Sequence, residues 1–431
     1  MEKTSAAGLD ALASELEKVT ETAVCERDEV FGNTGRLVAY PQNEREVSGA
    51  LSLAAHTGIT VIPEGGGTKR GYGGTLEAAD VLLSMKKIRG IVEHEAGDLI
   101  LTVKAGTPLA DIQHALAKKG QFLPLDAPDS EKGTIGGILA ANMSGPKRLR
   151  YGSGRDLVVG MRVVDAGGQV MRAGAKVVKN VAGYDMNKLY VGSMGTLGIV
   201  TEVTLKCRPL PERESVVLLE SEAGVDPLAV FSRHLLDTPM EPVAVEIVNP
   251  ALSDRMGGRR AFSLALSFED VPKSVERQEQ WVRRNAQLLT VSDTLRNEEA
   301  AAWWKRFLQT DRQCVTLKVG SLLTDVPVVL HHAERLSEQL GITLLSHGSV
   351  GVGLSKLHVQ AEKEAVCTFI RGMRQFMSGR EGYVTVEHAP LSVRRQVGVW
   401  GENSPNSRLF AGIKRAFDPE GILNPGRFVV G

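Results

Sequence analysis

The residues with the clearest chemistry in this chain are glycines. Gly65, Gly66 and Gly67 stand in PEGGGTKRGYG, directly after the apolar run Ile59–Pro63. Consecutive backbone N–H groups freed by glycine form an anion-binding nest, Thr68 adds a hydroxyl donor, and Lys69 and Arg70 supply positive charge. A pyrophosphate suits such a loop. It is not a P-loop, because no GxxxxGK[ST] occurs, nor a dinucleotide fingerprint, because Arg70 stands where the third glycine belongs. A second group runs through Asp126-Ala-Pro128, Thr134, Gly136-Gly137, Asn142, Ser144 and Gly145 to YGSGRD at Tyr151–Asp156. Paired glycines opening a helix of small residues let its backbone reach an extended ligand, with Asn142 and Ser144 as polar ends. The third group, KNVAGYDMNKLYVGSMGTLGIVTEVTLKCRP from Lys179 to Pro209, carries Gly183, Gly192, Gly195 and Gly198 before the strand-like Ile199-Val200. There the backbone must bend tightly or press against something flat. Each group taken singly also fits a tight structural turn.

The elements that position these loops read as α+β. Short β-type runs at Ile59–Pro63, Val81–Met85 and Leu99–Gly106 alternate with turns. The last leads into a helix with Thr107 as N-cap, Pro108 at its first position, Leu109, Ile112 and Leu116 on one face and Gly120 beyond its end. A hairpin, VVGMRVVD and QVMRAG around Ala166-Gly167-Gly168, precedes Lys179. After Pro209-Leu-Pro211 the glycine density falls, and longer strands (SVVLLE, AFSLALSF) accompany charged helices such as that around Val275–Leu289. This change of texture predicts a helical segment over 1–30, one domain over 31–211 and a second over 212–431, with a return segment over 399–431. The final 21 residues contain a helix ending at Phe417 and a Pro/Gly-punctuated tail.

Composition excludes several classes. Lys+Arg and Asp+Glu balance at 51 each, so no global field favours nucleic acid or an anionic membrane. The KRLR run at Lys147–Arg150 reads as a solvated face. Cys25, Cys207, Cys314 and Cys367 form no CxxC pair, which suits a reducing cytoplasm and leaves no motif for zinc or an iron–sulfur cluster. The acidic amphipathic N-terminus is no signal peptide, and no apolar stretch approaches the roughly 20 residues of a membrane span.

In this order and spacing the three glycine clusters resemble the FAD-binding domain of the vanillyl-alcohol oxidase and p-cresol methylhydroxylase superfamily, over roughly Phe31–Pro211. FDPEGILNPGR at Phe417–Arg427 resembles the C-terminal return segment of its 2-hydroxy-acid members. The resemblance implies an α+β fold: a PCMH-type FAD-binding domain of two α+β subdomains, then a smaller α/β substrate (cap) domain whose tail returns to the first. It implies that Gly65, Gly66, Gly67, Thr68 and Lys69 hold the pyrophosphate. Pro128, Thr134, Gly136, Gly137, Asn142, Ser144 and Gly145 would lie along the ribityl and flavin, Gly195, Gly198, Ile199 and Val200 at the adenosine end, with Asn424 also on the cofactor. Neither Gly65–Gly74 nor Asp126–Arg155 contains histidine or cysteine, so the FAD is expected to be noncovalent.

KNVAGYDMNKLYVGSMGTLGIVTE looks most like the smaller FAD-binding subunits of bacterial glycolate oxidase complexes. That implies a larger homologous flavoprotein and an iron–sulfur subunit as partners, with the membrane reached only through them. Oxidising a small 2-hydroxy acid needs a base, a cation for the carboxylate and a hydride path to the flavin. His388 and His347 are the candidate bases, with Lys179 facing either cofactor or substrate, or standing as a surface charge; His358 reads as structural. Competent relatives show a histidine–glycine–aspartate–glycine–asparagine stretch closed by a second histidine, and later a glutamate–histidine–glycine. Here His347 and Glu387-His388 remain, with Val350 and Val352 where the acid and amide belong, so no metal is expected. The expected activity is glycolate oxidation to glyoxylate within a complex. The alternatives are a self-sufficient D-lactate or other 2-hydroxy-acid dehydrogenase, and a catalytically silent FAD-binding structural subunit.

Overall fold

The computed structural model describes residues 6–26, 30–174, 184–309, 313–401 and 406–429. Lys179 and Gly183 lie outside the described residues.

The first sheet is built from β1 (Glu21–Val24), β2 (Thr34–Tyr40), β3 (Val61–Glu64) and β4 (Ala78–Ser84), in the order β1-β2-β4-β3. β2 and β3 run parallel to β4, joined by the helix Glu44–Thr57. Asn43 caps that helix by accepting from Glu46 N at 3.1 Å, and Val47, Ala50, Leu51 and Ala54 turn one face into the core. The second sheet takes β5 (Ile91–Glu95), β6 (Ile100–Lys104), β8 (Val158–Val164), β9 (Val170–Gly174) and β10 (Ile199–Lys206), in the order β5-β6-β10-β8-β9 and antiparallel throughout. A short ladder joins β7 (Gln121–Phe122) to β11 (Arg208–Pro209). The helix after β6 spans Leu109–Ala117 and buries Leu109, Ile112 and Leu116 as expected, but Pro108 is its cap residue. Thr107 serves the preceding turn instead, donating to Lys104 O at 2.6 Å and accepting from Gly90 N at 2.9 Å.

The third sheet holds β12 (Arg213–Ser221), β13 (Ala244–Val248), β14 (Phe262–Asp270), β15 (Thr290–Arg296), β16 (Val315–Ser321), β17 (Thr343–Ser349), β18 (Leu354–Gln360) and β19 (Gly382–His388). Its order is β15-β12-β14-β13-β17-β18-β16-β19, and every pairing is antiparallel. Strands and helices alternate here, yet the sheet is not parallel, because each half is a split βαββαβ unit in which helices carry the chain past a neighbouring position. The two halves meet where β13 pairs β17. The tail returns to the first sheet: Val61 N donates to Ile422 O and Asn424 N to Val61 O, both at 2.8 Å.

The KRLR run is not a solvated face. Lys147 pairs with Glu269 and, at 3.2 Å, with Glu214, two carboxylates of the third sheet. Its acceptors lie far along the chain, where no local pattern announces them.

Candidate functional site

Two clefts lie beside the glycine loops. The first is walled by the loop after β3 (Gly65, Gly66, Gly67, Thr68, Lys69, Arg70), by Thr134, Gly136 and Gly137, by Gly195, Gly198, Ile199 and Val200, and by Asn424 and Arg427. Close approach explains the glycines: a methyl group at Gly65 would lie 2.0 Å from Thr134 Oγ1, and one at Gly66 1.7 Å from the carbonyl oxygen of Lys132. Thr134 caps the helix Ile135–Ala140 by accepting from Gly137 N at 3.3 Å. Buried Glu64 pairs with Arg70 at 2.6 Å.

Among the described residues, two buried polar atoms on this wall have no partner. Asn424 donates from Nδ2 to Met194 O at 2.6 Å, while its Oδ1 is unsatisfied. Arg427 donates from Nη2 to Lys69 O at 2.6 Å, while its Nε is unsatisfied. Burial, and after it the charge of Arg394, pushes the Arg427 guanidinium down to about 9. A cleft with a glycine-rich turn and cations at one end, and one orphaned acceptor beside them among the described residues, fits a dinucleotide that brings a pyrophosphate and amide-type donors.

The second cleft is lined by Pro128, Ser144, Gly145 and Arg148 on one side and by Glu246, Thr316, His347, Ser349, Lys356, His358, Glu387 and His388 on the other. It shares Thr68 and Lys69 with the first, so the two clefts adjoin at the glycine loop. The sequence-predicted residues thus divide: Pro128, Ser144 and Gly145 face the histidines, while Thr134, Gly136 and Gly137 face the loop. Asn142, at φ +47°, lines neither, and its buried Oδ1 has no partner among the described residues. Tyr184 is exposed and lines neither cleft.

His347, on β17, binds Glu246 of β13 through Nδ1 at 2.7 Å, and only 2% of the Glu246 side chain is exposed. Phe307 sets the ring from the side, edge-on with centroids 4.7 Å apart. His358 meets Thr316 Oγ1 through Nδ1 at 3.0 Å. Burial, above all, pushes the His358 imidazole down to about 3, so it is neutral across the physiological range. His388 ends β19 against Phe31, with ring centroids 4.8 Å apart, and Ala389 N donates to Gly71 O at 3.1 Å. Glu387 pairs with Lys356 of β18. Burial works against its charge, but the ammoniums of Lys356 and Lys318 outweigh it and hold the carboxyl at about 2. Among the described residues, no group of three or more His, Cys, Asp or Glu is placed to hold a metal ion.

Glu246, Arg148 and Lys356 escaped the sequence reading. A carboxylate inside the otherwise apolar strand AVEIV was the one available signal, since a buried acid needs a partner.

Comparison with known proteins gives two family matches: residues 35–174 match an FAD binding domain, and residues 272–428 the C-terminal domain of FAD linked oxidases. The chain is 27% identical over 415 residues to the glycolate oxidase subunit GlcD of Bacillus subtilis, covering 90% of this chain and 88% of that one. It is 44% identical over 130 residues to the glycolate oxidase subunit GlcE of Escherichia coli, covering 30% of this chain and 37% of that one. Its fold is that of p-cresol methylhydroxylase with substrate bound, at a TM-score of 0.80 and 14% identity over 99% of this chain and 98% of the other. No helix among the described residues is long and apolar enough to cross a membrane.

Proposed function

We propose that this chain, with residues 35–174 matching an FAD binding domain, residues 272–428 the C-terminal domain of FAD linked oxidases and a PCMH-type fold, oxidises a small 2-hydroxy acid, glycolate to glyoxylate, as one subunit of a larger oxidase. The observation that carries this reading is that the two clefts share the wall formed by Thr68 and Lys69. One has the chemistry of a dinucleotide site; the other holds a carboxylate–histidine pair.

In this reading Gly65, Gly66, Gly67, Thr68 and Lys69 take the pyrophosphate, and Thr134, Gly136, Gly137, Gly195, Gly198, Ile199, Val200 and Asn424 hold the rest of FAD in the first cleft. The first cleft has no histidine or cysteine on its wall among the described residues, which favours noncovalent binding. FAD, when bound, supplies the acceptor for the hydride. His347 is the base: with Nδ1 tied to Glu246, Nε2 is the atom left to take the hydroxyl proton, and Glu246 fixes the ring and steadies the cation that forms. His388, beside Glu387, is the second candidate. Phe307, Val352 and Leu354 keep water from the reacting carbon. The chain's four dispersed cysteines supply no cluster motif, so electrons leave through an iron–sulfur partner. The local likeness to GlcE supports the subunit assignment.

The test is anaerobic mixing of the FAD-loaded protein with glycolate, D-lactate and other 2-hydroxy acids. Bleaching of the flavin by glycolate, slowed in His347→Gln, is the expected result. A flavin that none of these acids bleaches, alone or with partner subunits added, overturns the reading in favour of a subunit without substrate chemistry.

A further inference from the structure

We propose that Arg148 and Lys356 form a carboxylate clamp in the second cleft, and that the acid this chain accepts there carries a single carboxylate. The proposal deepens the function above and rests on the second cleft being the substrate chamber.

Three cationic side chains line that cleft: Lys69, Arg148 and Lys356. Two of them face carboxylates, for Lys69 lies 3.9 Å from Asp129 and Lys356 pairs with Glu387. The third carboxylate on the wall, Glu246, is taken by His347. Arg148 has none; among the described residues its side chain makes one long hydrogen bond, Nη1 to Ser144 Oγ at 3.4 Å. A guanidinium offers a rigid fork of donors matched to a carboxylate, so this one has unused capacity where a substrate would sit.

The backbone beneath Arg148 is fixed. Asp126 accepts from Gly145 N at 2.9 Å and from Lys147 N at 2.7 Å, and Lys147 is locked to Glu269 and Glu214. The clamp is therefore held in place before any ligand arrives, which limits the ordering cost of binding. Opposite it, Lys356 projects from β18 with 17% of its side chain exposed. Burial presses its ammonium below the usual range, Glu387 opposes that, and the charges of Lys318 and Arg148 add to it. Like charges facing one cavity repel, and a bound carboxylate relieves the repulsion. The carboxylate a divalent ion would need here, Glu387, already faces an ammonium. With one cation left unneutralised, one carboxylate is matched; a second would be buried without a partner.

The experiment is calorimetric titration of the FAD-loaded protein with oxamate, a redox-inert monocarboxylate, and with malonate, which carries two carboxylates. Wild type is expected to bind oxamate more tightly than malonate. Arg148→Gln and the charge-neutral double variant Lys356→Met/Glu387→Gln are each expected to weaken oxamate roughly ten- to a hundredfold with FAD content unchanged, and Arg148→Lys less so. The double variant removes both members of the buried pair, so the fold is not left with an uncompensated charge. Unchanged oxamate binding in both variants, tighter malonate binding, or no oxamate binding by wild type each overturns the clamp. If both variants lose oxamate while no 2-hydroxy acid bleaches the wild-type flavin, the clamp stands and the oxidation falls. If acids bleach wild type and both variants at the same half-saturating concentration, the oxidation stands and the clamp falls.

Discussion

Replacing Gly66 with alanine tests the glycine loop most directly. A methyl group there would sit 1.7 Å from the carbonyl oxygen of Lys132 and 2.6 Å from its carbon, both backbone atoms that cannot swing aside. Ordinary contact needs about 3.5 Å, so the loop and the segment before Thr134 must part by roughly 1.5 to 2 Å. Overpacking of this kind costs about 1 to 3 kcal/mol. If the loop opens to relieve it, the anion nest loses its shape and FAD binds about ten- to a hundredfold more weakly. Two glycines calibrate the result. At Gly67, φ +72° leaves a methyl group 3.3 Å from Glu64 Oε2, so alanine meets backbone strain of about 1 to 2 kcal/mol with little collision. At Gly97 a methyl group meets nothing within 4 Å, and alanine should be silent. The assay is FAD titration of the apoprotein by fluorescence quenching, paired with its thermal melt. A Gly66→Ala protein that binds FAD like wild type would refute the cradle.

Substitutions at four further positions probe the rest of the site. His347→Gln should lower turnover by about 10²- to 10⁴-fold as a lost base, and Glu246→Gln by less, with flavin content intact; equal rates in all three proteins would move the base to His388. Arg394 is fully buried and donates to Gly73 O at 2.8 Å, Ala389 O at 3.1 Å, and to Phe31 O and Gly74 O. Arg394→Met should cost about 3 to 5 kcal/mol in denaturant unfolding, with partial recovery in Arg394→Lys. Asp126 is held up to about 6, chiefly by burial, against two backbone N–H donors and Lys147. A raised carboxyl pKa means the native state binds the proton more tightly than the unfolded one, so stability falls as pH rises from about 4 to about 6 and is level above that. Relative to wild type, Asp126→Asn should therefore gain roughly 3 kcal/mol between pH 4 and 7; a constant difference across that range would sink the assignment.

The glycine loops were legible because their geometry is local. A nest needs consecutive glycines, and the Thr134 cap needs a hydroxyl three positions before its N–H, so sequence spacing carries both. The return of the tail was legible as a resemblance, and the pairing of Asn424 and Ile422 with Val61 gives it a physical basis. The second cleft was legible only in part: His347, His358, Glu387 and His388 stood out in the sequence, but their partners did not. Glu246 and His347 are 101 positions apart, and only the pairing of β13 with β17 brings them together. Lys356 sits in LSKLHVQ, an alternating strand whose polar positions look like any solvent face. Lys147 was misread for the same reason, since Glu269 lies 122 positions on. Propensity and periodicity describe elements; ion pairs between elements belong to the topology.

The seam between β13 and β17 gives the site an unusual vulnerability. Only three residue pairs register it, Glu246 with Ser349, Ile247 with Gly348 and Val248 with His347, whereas β12 and β14 within one half share nine. Before they join, each half presents its own outer strand as a bare edge. A slip of one residue there would turn Glu246 to the opposite face of the sheet and leave His347 without its acceptor, with both halves still folded. The pairing of His347 with its acceptor thus hangs on the alignment of this short seam even though one apolar core runs through both halves, and a chain can be fully folded by any bulk measure yet out of register where it matters.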